Sequence, residues 1–92
     1  MLLWLILGVV TGIFIITLTW TAISEWFADN KTVDSAYGQL IKKTLANGNY
    51  KVIGGIFNKS GTRTAIQAWE TDELDEKINN KFGKSNQIRL KL

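Results

Sequence analysis

Five carboxylates crowd one short stretch of the chain: Glu70, Asp72, Glu73, Asp75 and Glu76. Paired carboxylates can shuttle a proton in general acid–base catalysis or hold a divalent cation. A calcium loop needs alternating oxygen ligands and a glycine at its sharp turn, and this spacing has neither. The same acids suit the positive end of a helix dipole, with Lys77 and Lys81 following towards the negative end. That account covers all five, so no catalytic or metal-ligating residue is assigned among them.

A basic run follows: Lys77, Lys81, Lys84, Arg89 and Lys91, with no acid between them. Lipid headgroups and nucleic acid are the ligands such a run suggests. Nucleic-acid binding usually brings a larger surplus and stacking aromatics, whereas the net charge here is only +3. Lysines along a strand edge also discourage edge-to-edge aggregation, so no nucleic-acid partner is expected. Gly54-Gly55 lacks the Lys-Ser/Thr pair and the helix of a phosphate loop. The chain has no histidine and no cysteine. Ser-His and Cys-His nucleophiles, thiolate metal sites and disulfides are therefore excluded. No cofactor and no small-molecule substrate follow from these residues, and an enzyme is not expected.

The elements that must position these groups begin with an apolar run. Leu2 to Ile23 is 22 residues without a charge or a proline. As a helix it would extend roughly 33 Å, enough for a hydrocarbon core of about 30 Å. The sequence thus predicts a transmembrane helix over residues 1–24 and contact with the lipid bilayer. Trp4 lies near one end and Trp20, Trp26 and Phe27 near the other, where indole and phenyl rings suit the headgroup level. Lys31, Lys42 and Lys43 follow the run, which predicts a cytoplasmic carboxyl domain. Gly8 and Gly12, with Thr11 beside them, form a small-residue face on which two such helices can associate. A secretory leader cleaved near Ser24 is the alternative, but no basic residue precedes the run.

Residues 25–31 read as an interfacial linker and residues 32–92 as one small α+β domain. Val33, Tyr37, Leu40, Ile41 and Leu45 share one helical face, predicting a helix over Thr32–Asn47 with Asn47-Gly48 as its stop. Tyr50–Phe57 and Thr62–Trp69 read as a β-hairpin across the turn Asn58-Lys59-Ser60-Gly61. Thr71–Phe82 reads as a second helix, ended by Gly83. Gln87–Leu92 alternates, with Ile88, Leu90 and Leu92 towards a core and Arg89 and Lys91 towards water. The order is α-β-β-α-β, with a three-stranded, mainly antiparallel sheet.

The functional expectation is a single-pass, membrane-anchored accessory or adaptor protein that is non-catalytic and binds another protein. Arg63, Gln67 and Trp69, on one face of the second hairpin strand, are the expected partner surface. The alternatives are a small oligomerising, membrane-perturbing protein and a secreted domain released near Ser24.

Overall fold

The computed structural model describes residues 12–92. Its elements are β1 (Ile13–Leu18), α1 (Trp20–Asn30), β2 (Ser35–Thr44), β3 (Tyr50–Asn58), β4 (Arg63–Leu74), α2 (Glu76–Phe82) and β5 (Gln87–Lys91). The strands make one five-stranded sheet in the order β1-β4-β3-β2-β5. β1 runs parallel to β4, and the other three pairings are antiparallel.

This architecture corrects the expected membrane helix. Among the described residues no helix is long and apolar enough to cross a membrane. Where the second half of a span was expected, Ile13–Leu18 is a strand and α1 starts at Trp20. The physical reason lies in residue type. Ile13, Ile15, Ile16 and Thr17 are β-branched and stiff at χ1, which suits a pleated strand. A short isoleucine-rich run of this kind cannot be told from part of an apolar helix by periodicity alone. Thr19 then closes the strand and caps α1, its hydroxyl oxygen accepting from the Ala22 amide at 3.2 Å.

The three-stranded antiparallel sheet is corrected too, because β1 and β2 join it. Residues 35–44 form β2 rather than a helix. Both faces of β2 are covered: Gly38 and Leu40 face one core, while Tyr37 and Ile41 face another. With apolar residues on both faces, the alternation that marks a strand disappears, and a helical spacing remains by coincidence. Asn47-Gly48 is a hairpin turn, closed by the Leu45 amide donating to Asn49 O at 2.7 Å, with Gly48 at φ 89°. β4 extends to Leu74, so α2 is shorter than expected and its N-cap is Asp75, not Thr71.

Both helices contribute to one hydrophobic cluster, formed by Leu18, Ile23, Phe27, Leu40, Val52, Ile56, Trp69, Leu74, Ile78 and Phe82. A smaller cluster on the opposite face joins Ile41, Ile53, Phe57 and Ala68. α1 lies so close to the sheet that a Cβ on Gly38 would come within 2.5 Å of Phe27 Cε1. Only glycine lets the helix and β2 approach this far.

Candidate interaction edges

Among the described residues no strand pairs with the outer side of β1 or of β5. β1 presents Ile13 at 59%, Phe14 at 57% and Ile16 at 70% exposure. Directly opposed strand residues share a sheet face. Ile13 stands opposite Trp69, a core residue beneath the helices, and Phe14 stands opposite Glu70 on the other face. Ile13 and Ile15 therefore line the helix-covered face, and Phe14 and Ile16 the other.

The inner side of β1 is held firmly. Leu18 is fully buried at its end. Thr71 is fully buried as well, and its hydroxyl proton is shared between the carbonyl oxygens of Ile16 at 2.9 Å and Glu73 at 2.8 Å. Because the Ile16 carbonyl faces β4, the amides of Ile15 and Thr17 point away from the sheet. Asp75 ties the following segments together. Its carboxylate accepts from the Trp20 amide at 3.0 Å and from the Ile78 amide at 2.8 Å, joining the first turns of α1 and α2.

β5 is built differently. Ile88, Leu90 and Leu92 pack against the main core, and Arg89 and Lys91 lie exposed on the opposite face. The Arg89 guanidinium sits 3.7 Å from the centroid of the Tyr37 ring. Tyr37 in turn stacks on Phe57, with centroids 5.0 Å apart and planes 8° from parallel. The strand registers place Lys91, Tyr37, Phe57 and Arg63 in one row across the sheet. Beside β5, a cleft of ≈ 260 Å³ lies between its end and α1, lined by Trp20, Phe27, Ala28, Leu90 and Leu92, with Lys31 and Lys91 among its walls.

The residues singled out in the sequence scatter. Trp69 is 7% exposed and meets Trp26 edge to face at 5.8 Å, so it belongs to the core. Gln67 is half-buried and donates to Ala68 O at 2.9 Å. Arg63 is half-buried, and its Nη1 is buried without a hydrogen-bond partner. Trp20, Trp26 and Phe27 lie on α1 against the sheet, Trp20 with Lys81 Nζ at 5.2 Å from its ring centroid. Gly12 abuts Glu70, where a Cβ would come within 2.8 Å of Cγ. Trp4, Gly8 and Thr11 lie outside the described residues. Among the described residues no acids converge as a metal site. Sequence reasoning missed Ile13, Phe14 and Ile16 as an edge. The short isoleucine-rich run between Gly12 and Thr19 is a signal for a strand, but not for which of its sides stays uncovered.

Comparison of the chain with protein-family models, with curated proteins and with solved structures returns no match.

Proposed function

We propose that this chain is a non-catalytic interaction module that takes up an extended segment of polypeptide along the edge of β1, which no strand among the described residues covers. The observation that carries this reading is the composition of that edge. Its six residues include no charge and no proline, and three large apolar side chains stand more than half exposed. An exposed apolar edge is a template for another strand, and folds that do not use it blunt it with lysine, proline or a bulge. β5 carries Arg89 and Lys91, which repel a like-charged edge, and β1 carries no guard at all. Strand addition supplies affinity through the main chain and specificity through alternate side chains, so it needs no histidine or thiol chemistry.

A photo-crosslinking amino acid at Phe14 or Ile16 tests the reading in cells. The control position is Val33, which is 93% exposed and lies outside any strand. Discrete adducts from positions 14 and 16, absent from position 33, are expected. No adduct from the strand, or an equal yield from all three positions, would remove the proposal.

A further inference from the structure

We infer that the segment taken up at β1 is the β5 strand of a second copy, so that copies join edge to edge and head to tail in one continuous sheet. This rests on the strand-addition reading above and names its partner. Three observations carry it.

The first is direction. Following the pairings across the sheet, β1, β4 and β2 point one way and β3 and β5 the other. β5 lies level with residues 63–68 of β4 and β1 with residues 69–74, so copies in the same orientation bring β5 against β1 antiparallel when one is slid along the strand direction, with perpendicular inter-strand hydrogen bonds.

The second is charge. The acids Glu70, Asp72 and Glu73 lie on β4, immediately behind β1. Arg89 and Lys91 lie on β5, with Lys42 and Lys43 on the neighbouring β2. Pairing β1 with β1 about a two-fold axis would bring two acidic groups together, and pairing β5 with β5 would bring two basic ones together. Only β1 against β5 sets opposite signs beside each other.

The third is the match of faces. Opposed residues share a face, so Ile88, Leu90 and Leu92 would meet Ile13 and Ile15 on the helix-covered side. The apolar cleft between α1 and the end of β5 lies on that side, open to receive the exposed Ile13. On the other side Arg89 and Lys91 would lie over Phe14 and Ile16, reaching towards Glu70 and Asp72. The contact is heterologous and does not close on a pair, so it propagates into a ring or a filament.

Sedimentation velocity of the purified full chain across a concentration series reads the assembly directly. Two variants block one edge each. Ile15→Pro removes an outward amide from β1 at a position an edge strand tolerates. Arg89→Glu with Lys91→Glu reverses the charge of β5. The wild type is expected to form a series of species that grows with concentration, and either variant alone is expected to associate at least about tenfold more weakly. An equimolar mixture of the two variants is expected to recover association and stop at the dimer, because each supplies the edge the other lacks. That recovery also shows both variants to be folded. Should Ile15→Pro lose its far-ultraviolet circular dichroism, Ile13→Lys takes its place. A wild type that stays monomeric overturns the inference. So does a dimer indifferent to the β5 reversal, or a mixture that fails to recover. A monomeric wild type whose Phe14 position still crosslinks a different protein overturns this inference alone and leaves strand addition at β1 standing.

Discussion

Among the described residues β1 and β5 are the two outermost strands of one sheet, and they are built to opposite rules. β1 lies parallel to β4, carries no charge, and leaves Ile13, Phe14 and Ile16 more than half exposed. β5 lies antiparallel to β2 and alternates, with its apolar residues turned to the core and Arg89 and Lys91 turned away. β5 is thus an edge whose Arg89 and Lys91 disfavour pairing with a like-charged edge, and β1 an apolar edge with no such guard. Ile13, Phe14 and Ile16 bury little of their surface within the fold, whereas the pairing with β4, Ile15, Leu18 and Thr71 hold β1 to the sheet. Under the proposed strand addition the contacts of Ile13, Phe14 and Ile16 come from a partner.

The comparison breaks most visibly if the inner side of β1 is removed. Leu18→Ala empties a fully buried position and should cost about 2–5 kcal/mol, read as a lowered midpoint in denaturant. A loss below about 0.5 kcal/mol, the size of an ordinary surface change, would mean that β1 is not docked as described. Thr71→Val keeps the shape but strands the carbonyl oxygens of Ile16 and Glu73. About 1–3 kcal/mol should be lost, with faster amide exchange in β1 than in β3. Asp75→Ala removes the carboxylate shared by the first turns of the two helices and should cost about 0.5–2 kcal/mol, leaving the β5 end of the sheet unaffected in exchange measurements. At the other edge, Arg89→Ala gives up one exposed cation–π contact with Tyr37, and only about 0.5–1 kcal/mol is expected from the same denaturation curves. The smallest effect on stability belongs to Ile16→Thr, within about 0.5 kcal/mol of wild type. The same substitution should reduce crosslinking from Phe14, and that separation of stability from association is what the contrast between the edges demands.

The hairpin β3–β4 and the strand β5 were legible because each carries its own local evidence. Asn58 to Gly61 marks the turn, and Ile88 to Leu92 alternates cleanly. Gly83 likewise ends α2 with a positive φ of 56°. The stretches that were not legible are those whose environment differs from what their spacing implies. β2 is covered on both faces and so mimics a helix. β1 draws its identity from β4, whose paired residues lie 56 positions further along the chain. The edge site was hidden for the same reason, since an isoleucine-rich run does not reveal which of its sides will be occupied.

By itself the sequence determined the chemistry that is absent and the local signals that punctuate the chain. It excluded histidine and thiol catalysis, marked a break at Asn47-Gly48 and a turn at Asn58 to Gly61, and placed the acids of residues 70–76 and the bases of residues 77–91 in separate blocks. Tertiary structure decided the rest. It placed β1 parallel to β4, turned residues 35–44 into a central strand, sank Trp69 into the core and left Phe14 and Ile16 exposed. Burial and strand pairing depend on partners far along the chain, and local spacing carries no record of them.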